Sequence, residues 1–343
     1  MSWQSVRGHD RVVDSLRGSL RQGRFPHALL FVGAHGIGKR AFARKLTQAL
    51  LCEARAAELL DPCGICPGCV QVEGGTHPDS IEVGRPEDKH ELPISVIREL
   101  CDQFALKPAR GMRKVAIVDD ADYMNEEASN AFLKTLEEPP PGAVLILIGT
   151  SAELQLETIV SRCQLVRFEP LPESEIAALL LEKGVASNAD DAARLAALGE
   201  GSVNRAIGLA DGELERFRRS LIDEVAADHG FDPPALAHRL HAFIKQAGKE
   251  SVDQRGRASL LIGELARFFR GVLWQTAGIA PPCPDPVDRR CVSNLAERLE
   301  PEDVFVLADR CVLADYHVQR RVYMPLILES LMHDLGKMIN SRA

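Results

Sequence analysis

The stretch from Arg113 to Cys163 constrains what this chain can fold into more than any other. Lys114-Val115-Ala116-Ile117-Val118 is a short apolar run rich in β-branched residues, and it ends in Asp119-Asp120. Such a run reads as a strand buried on both faces, with acids at its C-terminal tip facing a ligand crevice. Met124, Ala128, Ala131, Phe132 and Leu136 then recur at helical spacing. Glu137-Glu138-Pro139-Pro140-Pro141 stops that helix near Glu138, because proline removes a donor and clashes with the preceding turn. A second apolar run, Val144 to Ile148, leads into Gly149-Thr150-Ser151 and on to Ser161-Arg162-Cys163. The order is strand, acidic tip, helix, strand, polar tip, exposed arginine, which places the amino-terminal part in the α/β class with a parallel sheet.

A second strand and loop fit the same sheet. Ala28-Leu29-Leu30-Phe31-Val32 is a buried strand, followed by Gly33-Ala34-His35-Gly36-Ile37-Gly38-Lys39-Arg40 and an alanine-rich helix from Ala41 to Leu51. Glycines let successive N–H groups close around phosphates at a helix N-terminus, and the lysine adds a point charge for the β and γ phosphates. Gly33, Gly36, Gly38 and Lys39, with Asp119 and Thr150 at neighbouring strand tips, are therefore the candidate nucleotide-binding set for ATP or ADP. The motif departs at its last position. A serine or threonine hydroxyl should follow Lys39 to hold magnesium, and Arg40 cannot coordinate a cation. The spacing predicts phosphate binding without hydrolysis.

After that helix come Cys52 and then Cys63-Gly64-Ile65-Cys66-Pro67-Gly68-Cys69. Three cysteines at consecutive two-residue spacing can aim their sulfurs at one centre, and Cys52 completes a tetrahedral thiolate set. Zinc is the natural occupant and its role structural, since four thiolates close the site. A redox pair and an iron–sulfur cluster are the alternatives. His77, in the turn Gly74 to Asp79, lies near the cluster in sequence, but four cysteines already satisfy zinc. Cys101, Cys163, Cys283, Cys291 and Cys311 are scattered and read as core or surface thiols. Nine cysteines in a long chain, clustered in this way, suit reduced thiols and metal better than a disulfide framework.

With 343 residues the chain divides into two or three domains, and a net charge of −8 argues against gripping nucleic acid mainly by itself. Neither a secretory leader nor an apolar run long enough for a membrane is evident, so a cytoplasmic protein with no membrane partner is expected. Val12, Leu16 and Leu20 mark a first amphipathic helix. Ile94, Ile97, Leu100, Cys101 and Phe104 mark another, which Ser95 caps and Pro108 ends. Lys107, Arg110, Arg113 and Lys114 form a basic loop that reads as solvated. Strands stop after Arg167, and Phe168 to Pro172 reads as a hinge. Helices then follow over Glu173–Lys183, Ala189–Leu198, Ser202–Ala210, Phe217–Ala227, Pro234–Ala247, Val252–Gly278 and from Glu302 onward, with a proline-rich interval at Ala280–Val287.

Several of these residues together resemble one family, the clamp-loader AAA+ proteins of bacterial replication. The resemblance runs from Trp3 to about Ala210. It is densest in Pro26-His27-Ala28-Leu29-Leu30-Phe31, the cysteine cluster, Thr76-His77-Pro78-Asp79, Leu133-Lys134-Thr135-Leu136-Glu137-Glu138-Pro139-Pro140 and Ser161-Arg162-Cys163. It implies an AAA+ P-loop domain over 1–168 carrying the zinc module at about 52–69, a three-helix lid over 169–211, and an all-α oligomerisation collar over 212–343. It implies that Arg162 starts a helix and acts as an arginine finger in a neighbouring subunit's nucleotide site. Relative to ATPase members, Arg40 replaces the magnesium hydroxyl and Asp120 replaces a longer glutamate that positions water. Asn204 stands where an ATP-sensing arginine is expected, with Arg205 adjacent. The implied protein is a non-catalytic loader subunit whose partners are the ATPase subunits, a delta-type subunit, the sliding clamp and, through the complex, primed DNA. The alternative is a catalytically active clamp-loader ATPase or another AAA+ enzyme. A sequence-specific DNA-binding module is poorly supported.

Overall fold

The computed structural model describes residue 3 and residues 6–86, 89–248, 251–281 and 286–342. It divides into two compact units, Met1–Ala206 and Ile207–Ala343. Cys283, within the proline-rich interval, lies outside the described residues, as do residues 282–285 as a whole.

The first unit is built on a five-stranded, all-parallel sheet: β1 (Ala28–Val32), β2 (Ser80–Val83), β3 (Lys114–Val118), β4 (Ala143–Ile148) and β5 (Gln164–Arg167), in the order β2-β3-β4-β1-β5. Register pairs Leu29 with Ile146, Ala116 with Leu145, Ile81 with Ala116 and Phe31 with Val166. The three central strands are buried along their whole length. Their alternate side chains feed two cores. Leu29, Phe31, Val115, Ile117, Val144 and Ile146 pack beneath α1 (Asp10–Arg21) and α2 (Lys39–Leu50). Ala28, Leu30, Ala116, Val118, Leu145 and Leu147 pack against α4 (Ile94–Ala105) and α5 (Glu126–Glu137). The remaining helices here are α3 (Pro67–Glu73), α6 (Glu157–Val160), α7 (Glu173–Glu182), α8 (Ala189–Gly199) and α9 (Val203–Leu209), the last running across the boundary between the units.

Several expectations are corrected in detail. On α1 the buried stripe is Val13, Leu16 and Leu20 rather than one starting at Val12. Pro93, not Ser95, stands at the N-cap of α4, so the serine hydroxyl caps nothing. Met124 precedes α5, whose N-cap is Asn125, its side chain accepting the Ala128 N–H. The basic loop is less solvated than its charge suggests: Lys114 is buried, and its Nζ donates to the Gln103 and Leu106 carbonyls at 2.6 and 3.3 Å, closing the end of α4.

The second unit is all helical among the described residues: α10 (Gly212–Val225), α11 (Pro233–Lys245), α12 (Ser251–Thr276), α13 (Pro286–Ala296), α14 (Pro301–Gln319) and α15 (Met324–Ile339). The single helix expected from Glu302 onward is two, because Arg321 turns left-handed at φ 58° and Pro325 opens the next helix. Inside this unit the buried Arg218 is held by Glu215 at 2.8 Å on its own helix and by Asp288 at 2.8 Å on α13. These carboxylates outweigh burial and raise the guanidinium above its ordinary value.

Candidate nucleotide and metal sites

Parallel topology brings the C-terminal tips of β1, β3 and β4 to one edge, the edge at which open α/β sheets bind ligands. The glycine loop leaves β1 there. Gly33 N–H donates to the Thr150 carbonyl at 3.0 Å, stitching the loop to the tip of β4. Gly38 is the N-cap of α2 in the left-handed region at φ 97°, a conformation glycine takes without penalty. At Gly36 a Cβ would collide with the Ser202 hydroxyl and with Asn204, so the start of α9 sits directly over the loop. Backbone bonds from Val203 and Asn204 to the Gly36 carbonyl, at 3.1 and 3.4 Å, hold it there.

Lys39 is buried and turned back on its own loop, donating to the Gly33 and Ala34 carbonyls at 2.6 and 2.7 Å. Burial pushes its pKa down, and the nearby Asp122 and Asp119 offset part of that effect. Arg40 points to the acidic strand tips. Its Nε lies 2.6 Å from Glu82 on β2 and 3.3 Å from Asp119 at the end of β3. Arg44, one turn further along α2, grips the same Glu82 at 2.7 and 2.9 Å. Burial alone would raise Glu82, but hydrogen bonds from Arg44 and Arg40 hold it below its ordinary value. Burial pushes Asp119 up, Asp120 reinforces this, and Arg40 counters it.

The residues do not fit a magnesium ion. The side chain that should offer a hydroxyl is a guanidinium, and it lies against the carboxylate that would otherwise face the metal. Asp120 is equally committed. It adopts the left-handed conformation at φ 57° and turns its carboxylate toward Arg85, 3.9 Å away. Thr150, expected at the nucleotide, gives both its N–H and its hydroxyl to Asp122 at 2.6 and 2.7 Å, and Gln155 donates to that carboxylate at 2.8 Å. Sequence reasoning missed Asp122, which lies in the turn after β3 outside any periodic pattern. It also missed His9, buried against Phe42 and Phe168, whose Nε2 bonds the Ile37 carbonyl at 2.9 Å and underpins the loop. Of the two lid candidates, Asn204 is at the loop, while Arg205 is buried and pairs with Glu200 at 3.4 Å.

The four cysteines converge. The sulfurs of Cys52, Cys63, Cys66 and Cys69 all lie within 4.8 Å of one another. Cys52 and Cys66 are 4.0 Å apart, Cys63 and Cys69 3.9 Å. A tetrahedron with zinc–sulfur bonds of about 2.3 Å has edges of about 3.8 Å, so the set fits a zinc ion with little movement. Backbone N–H groups of Cys66 and Cys69 point at the sulfurs of Cys63 and Cys66 at 3.3 and 3.4 Å. Backbone donors from Ile65 and Cys66 pull the Cys63 thiol down to about 6, whereas burial pushes the Cys69 thiol up. The module is anchored on α2: Gln48 donates to the Cys69 carbonyl at 2.9 Å, and Gly68 packs against the Leu51 carbonyl so closely that a Cβ would lie 2.7 Å from it. His77 is not part of the set. Its Nδ1 accepts the Asp79 N–H at 3.0 Å, and the buried Asp79 carboxylate takes the N–H groups of Ala109 and Arg110 at 2.6 and 2.7 Å. The Thr76 to Asp79 turn thus fixes the loop that leads into β3. Cys163, Cys291 and Cys311 lie apart from the cluster, with burial raising their thiols.

Arg162 lies in the turn between α6 and β5, so the short helix precedes it instead of starting at it. Its Nη2 is 2.6 Å from Glu137 at the end of α5, and Nη1 donates to the Thr158 carbonyl at 2.9 Å and the Ser161 hydroxyl at 3.2 Å. None of these partners belongs to the chain's own glycine loop.

A parallel five-stranded P-loop domain with an altered metal position and a four-cysteine module defines the class, and sequence comparison agrees. Residues 8–172 match the family described as DNA polymerase III, delta subunit, and subunits of that polymerase recur among the chain's relatives. It is 34% identical over 186 residues to DNA polymerase III subunit delta' of Bacillus subtilis, covering 54% of this chain and 55% of that one. It is 33% identical over 213 residues to the Escherichia coli delta' subunit, covering 62% and 63%. Against the E. coli tau subunit it is 33% identical over 214 residues, 61% of this chain but 32% of that protein, so it spans about a third of that relative's length. Among solved structures, a gamma subunit-related protein of Thermotoga maritima covers 96% of this chain and 99% of its own at 18% identity, with a TM-score of 0.43.

Proposed function

We propose that this chain is the delta-prime subunit of the DNA polymerase III clamp loader, a cytoplasmic AAA+ subunit that does not itself hydrolyse ATP. The observation that carries the reading is the Arg40–Asp119 pair at 3.3 Å, which puts a fixed cation where hydrolysis needs a metal ion. Asp120, turned toward Arg85, and Asn204 over the loop support it.

In this role the first unit holds Cys52, Cys63, Cys66 and Cys69 around a structural zinc. Residues 169–211 act as a lid, and the helices from 212 onward join the collar of a hetero-oligomer. The subunit sits at one end of an arc of ATPase subunits beside a delta-type subunit and helps place the sliding clamp on primed DNA. Arg162 reaches the neighbour's nucleotide. Its planar guanidinium spans two phosphate oxygens and stabilises the charge that develops on them during cleavage. Glu137 orients the side chain until the neighbour's phosphates compete for it.

Reconstitution with candidate ATPase subunits tests this. The isolated chain should show no magnesium-dependent turnover, and Arg40→Thr alone should not create it, since Asp120 and Asn204 still depart from an ATPase. Adding the chain to the ATPase subunits should raise their clamp-dependent turnover. Robust turnover by the isolated chain, abolished by Lys39→Ala, would instead make it an active gamma- or tau-like ATPase.

A further inference from the structure

The retained lysine and glycine loop beside an altered metal position pose a chemical question. A triphosphate brings up to four negative charges into a crevice that already holds Asp119 and Glu82, and P-loops meet that charge with a divalent cation. Here Arg40 spans both acids from the first turn of α2, at 2.6 Å to Glu82 and 3.3 Å to Asp119. Both contacts are made by Nε, and a guanidinium carries four further N–H donors. Its partner Glu82 is fixed independently by Arg44, so the pair is part of a braced set of two arginines and two acids. The Arg40 side chain is 54% exposed, so it can be reached by a ligand from solvent.

We propose that Arg40 is a built-in counter-cation which lets this P-loop bind the phosphates of a nucleoside triphosphate without a divalent metal ion. This rests on the reading of the glycine loop as a phosphate cradle. In it, Lys39 and the loop N–H groups hold the phosphate chain while Arg40 neutralises it from the side of Asp119. No cleavage follows, because nothing activates water there. The site becomes a nucleotide-holding position whose occupancy is indifferent to free magnesium.

The test is equilibrium binding of a fluorescent ATP analogue to the purified full chain, once in excess magnesium and once in EDTA. The wild-type dissociation constant should agree within about twofold between the two media. Arg40→Thr removes the fixed charge and uncovers Asp119, so its binding should weaken about tenfold or more in EDTA and recover in magnesium. Arg40→Lys keeps a positive charge and should stay metal-independent, which also guards against a folding defect in the threonine variant. Wild-type binding that weakens about tenfold in EDTA, or a threonine variant that responds to magnesium no more than wild type, overturns the proposal. Absence of nucleotide binding by the wild type in both media overturns it as well. That last result leaves the loader-subunit reading intact, because it is judged by the turnover of the partner ATPases and not by binding here.

Discussion

Replacing Arg162 with alanine separates its proposed role as a finger from its place in the fold. The structural cost follows from its contacts. The ion pair to Glu137 is short, at 2.6 Å, but the side chains are 35% and 49% exposed, so solvent screens it and it contributes at most about 1 kcal/mol. The hydrogen bonds to Thr158 and Ser161 are likewise on the surface, and those oxygens turn to water when the guanidinium is gone. Thermal unfolding should therefore shift by no more than about 4 °C. The functional cost is of another order. A finger in trans contributes roughly 10³ or more at the site it completes, about 4 kcal/mol of transition-state stabilisation. In a reconstituted loader, clamp- and DNA-stimulated ATP turnover should fall by that one site's share while the other sites keep firing. Arg162→Lys should recover little, since a point charge lacks the planar fork. Steady-state phosphate release on gel-filtered complexes reads this directly. An alanine variant that assembles and turns over ATP like wild type would refute the reasoning and leave Arg162 as a surface residue paired with Glu137.

Cys66→Ser should lose bound zinc, measured by plasma mass spectrometry, and loosen the module on α3 while the circular dichroism of the helical second unit persists. Asp79→Ala removes a buried acceptor from two backbone N–H groups and should cost about 2–5 kcal/mol in denaturant unfolding; a loss below about 1 kcal/mol would mean that water replaces the carboxylate. Glu82 has a folded pKa below its unfolded value, so its contribution is present above the ordinary carboxylate range and is lost as pH falls through the depressed folded value. Glu82→Gln should accordingly flatten the acid limb of the stability curve for the first unit, and an unchanged limb would count against the brace.

Legibility in the sequence followed burial. β1, β3 and β4 were plain because both faces are covered and every residue is apolar or nearly so. β2 and β5 lie at the edges of the sheet, are four residues each and include exposed or half-exposed side chains, so no apolar run marks them. Losing β2 hid Glu82, and with it the reason Arg40 is held where it is. The cysteines could be grouped from spacing because a metal set needs only short loops. Asp79 and Asp122 could not be assigned, since what they accept comes from residues 30 and 28 positions away. The break between α14 and α15 has one sequence signal, Pro325 in the first turn of α15, set between apolar periodicities on either side.

Helix α2 has twelve residues, a rod about 18 Å long, with the Arg40 brace on its first turn and the cysteine module seated on its last through Gln48 and the close approach of Gly68 to Leu51. A rod gripped at both ends has no freedom to roll. Slipping its far end by one residue would swing Arg40 through about 100° and carry its guanidinium away from Asp119. The cysteine module is thus a phase lock on the helix, and the angular setting of the glycine-loop end of α2 is shared with its opposite end.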